Sequence, residues 1–267
     1  MLKKNKAKYD SVILEIFRNH NFENVKEFNF RREELSVVCE HLGIAKPKNL
    51  GDVLYSYRYR RPLPAEILER TPEGLEWLIE GTGKAEYVVR LTKMTRILPR
   101  SDLALIKIPD ATPEIILANA MNDEQALLAK LRYNRLIDIF LGVTAYSLQN
   151  HLRTTIRQSV QIEIDEIYVG ITKSGAQYII PVQAKGGTDQ LGSVQTRQDI
   201  MFAEEKYPNL ICRTVSAQFI DKEKIAMFEL DVEEDDIRIV EEKHYQLVSG
   251  HDISSKELSK YKSRTII

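Results

Sequence analysis

The sequence is poor in the residues that staple folds covalently or through metals. Its 267 residues include two cysteines and five histidines. Cys39 and Cys212 lie far apart, each within an apolar stretch, and read as buried reduced thiols rather than a disulfide or a catalytic thiol. No two histidines stand at ligand spacing, which argues against a structural zinc site. No apolar run approaches the roughly 18–20 residues that a membrane span needs, so an integral membrane protein is not expected. The basic start, Met1-Leu-Lys-Lys-Asn-Lys, leads into no apolar signal core, and a cytoplasmic protein is expected. Internal repeats and low-complexity linkers are also lacking. So is an excess of one charge, because 38 Lys and Arg meet 39 Asp and Glu for a net −1.

What is present fits a globular protein of one large or two small domains: 43% hydrophobic and 29% charged residues. The charge is unevenly placed. Residues 1–100 carry 19 Lys and Arg against 14 Asp and Glu, a balance of +5, and the remainder carries 19 against 25, a balance of −6. A basic first part joined to an acid-rich second part fits a nucleic-acid-reading module beside a second domain.

Residues 9–19 read as an amphipathic helix with Val12, Ile13, Ile16 and Phe17 on one face. A second helix spans 31–42 and stops at Gly43, and a third begins near Lys48-Asn49 with Leu50, Val53 and Leu54. Residues 75–91 read as a β-hairpin with its tip at 80–84. Three helices and a hairpin are the order of a winged helix-turn-helix, and a small helical domain without a nucleic-acid role is the alternative. The domain boundary is placed between Pro99 and Pro113, giving domains at 1–98 and 99–267. Helix is expected from Thr112, over 124–141 and on through 144–156. At Val160 the period changes to two, with Ile162, Ile164 and Ile167 marking a strand. A turn at 170–175, a strand over 177–184, a helix over 195–206 and strands at 210–219 and 225–230 complete an α/β (α+β) domain with mixed strand directions.

The chemistry-bearing residues sit on the first two of these strands. Alternation places Glu163 and Asp165 on one side of the first and Gln183 and Lys185 on one side of the second. An acid, an amide and an amine on adjacent strands suit phosphodiester hydrolysis, which needs hard oxygen ligands for a divalent metal and a cation against developing charge. Gly186-Gly187 follows Lys185 directly and allows another backbone to approach closely.

The spacing Asp165…Gln183-Ala184-Lys185 resembles the core of the PD-(D/E)XK nucleases, with glutamine where an acid is more common. The stretches 161–170 and 180–187 are similar to type II restriction endonucleases carrying a winged-helix N-terminus, and the resemblance covers roughly 120–245. It implies Mg²⁺ as cofactor, Asp165 as principal metal ligand, and oxygens of Gln183 and of the Ala184 backbone as further ligands. It implies that Lys185 orients or activates water, and that Glu124 or Glu163 supplies the acid such enzymes often carry before the first strand. Gln195 and Gln198, on the following helix, are expected to face DNA. Double-stranded DNA as substrate, a homodimer and a DNA methyltransferase as genetic partner follow from the same resemblance. Because Gln183 removes one negative charge, a DNA-binding regulator without activity stays open, as does a repair nuclease that recognises DNA structure.

Tyr55-Ser-Tyr-Arg-Tyr-Arg-Arg61 interleaves tyrosine and arginine at the end of the third helix. Tyr55, Tyr57, Arg58, Arg60 and Arg61 are therefore candidate DNA contacts. Lys130, Arg132 and Arg135 read as solvated surface, His151 and His244 as structural, and the acidic run 233–236 as a solvated loop facing away from DNA.

Overall fold

The computed structural model describes residues 2–263 apart from 48, 60, 94–95, 121–122, 158, 187–190, 222 and 234–235. Arg60 and Lys48 thus lie outside the described residues, as do Gly187 and the middle of the acidic run. The chain is mixed α/β, with helices around a large mixed sheet.

The first part runs α1 (Leu2–Asn19), β1 (Glu27–Arg31), α2 (Arg32–His41), α3 (Leu50–Tyr59), α4 (Ala65–Glu69), β2 (Glu76–Gly83) and β3 (Glu86–Thr92). The three strands form an antiparallel sheet in the order β1-β3-β2. α1 presents Val12, Ile13, Ile16 and Phe17 to the core, as the periodicity predicts, and starts seven residues earlier than the reading of 9–19. Phe17 meets Phe22, Phe28 and Trp77 edge-on at 5.2–5.7 Å between ring centroids, so one aromatic nest ties α1 to β1 and β2. β1 was not expected. Its residues alternate Glu27, Phe28, Asn29, Phe30, Arg31, burying only the two phenylalanines.

The chain passes from this core to the next between Leu91 and Ile97. The second part comprises β4 (Arg96–Ile97), β5 (Leu105–Pro109), α5 (Glu114–Asn119), α6 (Asp123–Tyr133), α7 (Leu136–Leu141), β6 (Thr144–Ile156), β7 (Val160–Ile171), β8 (Gln177–Lys185) and β9 (Leu191–Gly192). It continues with α8 (Ser193–Lys206), β10 (Ile211–Cys212), β11 (Thr214–Phe219), β12 (Lys224–Glu233), β13 (Asp236–Val248) and α9 (Ser255–Ser263). The large sheet runs β5-β13-β12-β11-β8-β7-β6, with β10 pairing β8 off that path and the β4–β9 pair lying apart from it. β6, β7 and β8 are successively antiparallel, whereas β8 and β11 are parallel and joined through α8.

Three layers result. On one face Leu127, Leu131, Ile137 and Phe140 of α6 and α7 pack on Val182, Ala184, Val215 and Ala217. On the other, Phe202 and Ala203 of α8 pack on Ile164, Ile167 and Ile179. Both cysteines are free, and burial pushes the Cys212 thiol up to about 12, which makes it an inert thiol. No described helix is long and apolar enough to cross a membrane.

One expectation is overturned. Residues 144–156 do not continue as helix but form β6, the outer strand, paired along one side with β7. Most of β6 is exposed, its register shifts between Ser147 and Gln149, and His151 has φ +46°. A strand with little to bury and a broken alternation leaves no two-residue period to read.

Candidate active site

The β7–β8 ladder runs from Ile171↔Gln177 to Glu166↔Val182 and stops there. Beyond it, side chains replace backbone pairing. Asp165 Oδ2 accepts a hydrogen bond from the Ala184 N–H at 2.8 Å, and Gln183 Nε2 donates to the Glu163 carbonyl at 3.1 Å. The opening of the ladder thus places Asp165 between the two strands.

Lys185, the last residue of β8, brings Nζ to 3.9 Å from Asp165 Oδ2 and 4.0 Å from Glu124 Oε2. Glu124 comes from the first turn of α6, and that helix reaches the site only because residue 186 is glycine. A Cβ there would sit 2.6 Å from Asp123 Cβ and 2.8 Å from the Glu124 nitrogen. The close backbone approach expected after Lys185 is therefore present, and its partner is the start of α6. Of the two acids proposed for the place before the first strand, Glu124 joins the cluster. Glu163 is exposed and pairs with Arg153 at 3.1 Å.

Both clustered acids have a raised proton affinity. For Asp165 the main cause is burial, opposed by the Lys185 ammonium and the Ala184 N–H; for Glu124 it is burial and then the charge of Asp165. One ammonium between two partly desolvated carboxylates leaves a surplus of negative charge, the condition a divalent cation relieves. Among the described residues no group of three or more His, Cys, Asp or Glu stands ready as a metal cage. The oxygens on hand are Asp165, Glu124 and Gln183 Oε1, which is buried without a hydrogen-bond partner. Two carboxylates and an amide oxygen fit Mg²⁺, an ion commonly bound by one or two carboxylates with its other positions left to water and phosphate.

Gln183 projects from the side of β8 opposite Val182 and Ala184, as alternation predicts, but that position is not open. Gln183 is 1% exposed and turns toward α8, where Nε2 donates to Asp199 Oδ1 at 3.0 Å. Asp199 is the functional-looking acid that sequence reasoning misses. It is fully buried, and burial raises its proton affinity well above that of an ordinary carboxylate. Such a group stabilises the fold when protonated. That contribution is complete below its unfolded pKa of roughly 3.9 and is lost as pH rises through the folded value. Asp199→Asn keeps the acceptor for Gln183 and removes the ionisation. It is expected to raise unfolding free energy at pH 8, with little gain near pH 4. Urea melts of both proteins across that range test this, and parallel pH profiles would refute it.

Asp165, Glu124 and Lys185 open onto a cleft of about 1300 Å³ lined from both parts of the chain. Glu163, Asp165, Lys185, Gln195 and Gln198 line it on one side and Arg32, Tyr55, Arg58 and Lys84 on the other, with Arg153 from β6. Of the tyrosine–arginine segment, Tyr55 and Arg58 do face the cleft. Tyr57 and Arg61 do not take the DNA-contact role assigned to them. Tyr57 is buried and donates its hydroxyl to Asp10 Oδ1 at 2.6 Å, while the Arg61 guanidinium lies 4.0 Å from the Tyr57 ring centroid and 3.7 Å from Asp10. Helical spacing turns every third or fourth residue inward, so half of that motif is core. Arg132 is likewise no mere surface cation: its Nε donates to Glu166, a fully buried carboxylate, at 3.0 Å. His151, read as structural, is exposed on β6, close enough that its charge favours ionised Asp165 and Glu124.

No protein-family model, curated protein or solved structure matches this chain.

Proposed function

We propose that the chain is a Mg²⁺-dependent DNA endonuclease, with a winged-helix-type module in its first part and a PD-(D/E)XK-type nuclease domain in its second. The observation that carries this reading is the Lys185 amine, 3.9 Å from Asp165 and 4.0 Å from Glu124, facing a cleft whose opposite wall carries Arg32, Arg58 and Lys84. The helix–strand–helix–helix–helix–hairpin order of the first part supports the winged-helix assignment, as does the opening of α3 and of the turn between β2 and β3 onto that cleft.

Mg²⁺, held by Asp165, Glu124 and the Gln183 amide oxygen, would supply a Lewis acid against the scissile phosphate. The protein groups do the rest. Lys185 orients the attacking water and offsets negative charge growing on the phosphoryl oxygens. Glu124, with its raised proton affinity, takes the proton that the water loses. Oxygen bonds to phosphorus, the bond to the 3′ oxygen breaks, and that oxygen is protonated from solvent, leaving 5′-phosphate and 3′-hydroxyl ends. The Ala184 N–H and the Gln183–Asp199 bond keep the acid and the amide from turning away. Cutting both strands of a palindromic site calls for a homodimer, one site per strand, as in a type II restriction enzyme, with a methyltransferase protecting the host.

Incubation with unmethylated phage DNA tests the reading. Discrete fragments in Mg²⁺ and none in EDTA are expected. The second reading, a DNA-binding regulator, is favoured by one feature: the Gln183 amide stands where a third carboxylate would complete the charge. DNA binding with no cleavage in Mg²⁺ or Mn²⁺ would establish it. In either case Arg58→Ala and Lys84→Ala are each expected to weaken binding to duplex DNA across sequences and to lower the slope of log K against log salt by about 1. A fluorescence-anisotropy salt series reads this, and an unchanged slope in both variants would remove the cleft from the binding surface.

A further inference from the structure

The two walls of the cleft meet at one end. A Cβ at Gly83, beside the β2–β3 turn, would lie 3.4 Å from Ser159 Oγ in the turn between β6 and β7. The first part is also fastened to the second at another point. Thr92 Oγ1 donates to Asp236 Oδ1 at 2.6 Å, the Lys93 N–H donates to the same oxygen at 3.1 Å, and β4 pairs with β9 immediately beyond. The reading surface of the first part is therefore held beside the site.

The distance between turn and site follows from the strand. From Ser159 to Asp165 the chain advances six residues along β7, and at about 3.3 Å per residue this is about 20 Å. A DNA strand advances about 3.4 Å per nucleotide, so the same 20 Å spans about six nucleotides. Lys84 stands at the near end of that interval, and Tyr55 and Arg58 of α3 line the same cleft.

We infer that recognition and scission fall on one stretch of DNA: the nucleotides touched by the β2–β3 turn and by α3 lie within about six of the cleaved phosphate. This rests on the nuclease reading. It excludes an enzyme that reads a sequence with one domain and cuts at a remote, fixed distance with the other. Lys84, Arg58 and Tyr55 then hold the same stretch of DNA that Lys185 acts on.

Two measurements separate this inference from the reading beneath it. Lys84 and Glu163 are both exposed, one on the turn and one two residues from Asp165. A doubly substituted K84C/E163C protein carrying a photoactivated aryl azide on each new thiol is cross-linked to a pool of 30-base-pair duplexes with random centres, and doubly cross-linked molecules are sequenced singly. Lesions about six nucleotides apart or fewer are expected. Spacings beyond ten, or no molecule bearing both lesions, overturn the inference whatever the activity. Cut ends of unmethylated phage DNA, mapped with the wild-type protein, are expected within six nucleotides of the bases shared by all cut sites. Cuts ten or more base pairs outside those bases overturn the inference and leave the nuclease reading standing. DNA cross-linked at the expected spacing but never cut overturns the nuclease reading and, with it, the assigned cut position.

Discussion

Lys185→Ala is expected to lower Mg²⁺-dependent cleavage of duplex DNA by about 10²–10⁴-fold while changing DNA affinity by less than about threefold. The amine stands between the two acids. It is the one cation whose ion pairs join Asp165 and Glu124 among the described residues, and its side chain is 15% exposed, so its charge acts where water screens it little. DNA affinity draws instead on Arg32, Arg58, Lys84 and Arg153, spread around the cleft. Removing the amine leaves two carboxylates facing each other, so their proton affinities, already raised, should climb further. Residual cleavage by the variant should therefore rise with pH more steeply than that of the wild type. Asp165→Asn should be as inactive, because it removes the acid that the Ala184 N–H holds in place. Single-turnover cleavage at fixed Mg²⁺, with binding measured separately in Ca²⁺, distinguishes the two effects. If Lys185→Ala keeps more than a tenth of wild-type activity, the amine does not serve the chemistry.

The two residues at the centre of this prediction are legible in the sequence, and it is instructive which of their neighbours are not. Asp165 and Lys185 stand out because a polar pair on an otherwise Ile- and Val-rich pair of strands needs a reason. Their distance in sequence, a turn and two strand lengths, returns them to one end of the sheet. Gln183 is found, but its burial is not. Alternation holds along β8, which keeps its register with β11 through Lys185, with Val182 and Ala184 on one side and Gln183 on the other; it does not say which side a helix covers, and α8 covers Gln183. Asp199 is invisible for another reason. It lies on α8, where Ser193, Thr196, Arg197, Gln198 and Asp199 are all buried, so the helix has no apolar stripe to mark its inner face. The fold follows the same division. The apolar stripe of α1 and the apolar runs of β7 and β8, buried on both faces over much of their length and bounded by turn residues, are read correctly. Elements without such a stripe or run are missed or misassigned: β6, exposed and bulged; β1, two buried residues long; and β13, whose pairing with β12 shifts between Glu229 and Leu230.

Gly186→Ala is the substitution expected to separate the pieces of the site without altering any of its charges. The added methyl would stand 2.6 Å from Asp123 Cβ, 2.8 Å from the Glu124 nitrogen and 2.9 Å from the Asp123 carbonyl carbon. Two of these three atoms are backbone, so no side-chain rotation relieves the contact. The first turn of α6 must withdraw by about 1 Å to restore ordinary separation, and overpacking of this kind costs about 1–3 kcal/mol. Glu124 moves with that turn, away from Lys185, while Asp165 stays anchored to Ala184. A shift of about 1 Å at reacting groups can cost about 10²-fold, so cleavage should fall far more than the loss of stability explains. Gly250→Ala supplies the control, since a Cβ there meets nothing within 4 Å. It should stay within about 0.5 kcal/mol of wild type and remain fully active. Thermal melts and cleavage rates on the two variants decide the matter. A Gly186→Ala protein that melts and cuts like wild type would mean that α6 does not hold Glu124 against Lys185, and the acid serving the reaction would then have to be sought elsewhere, with Glu163 the first to test.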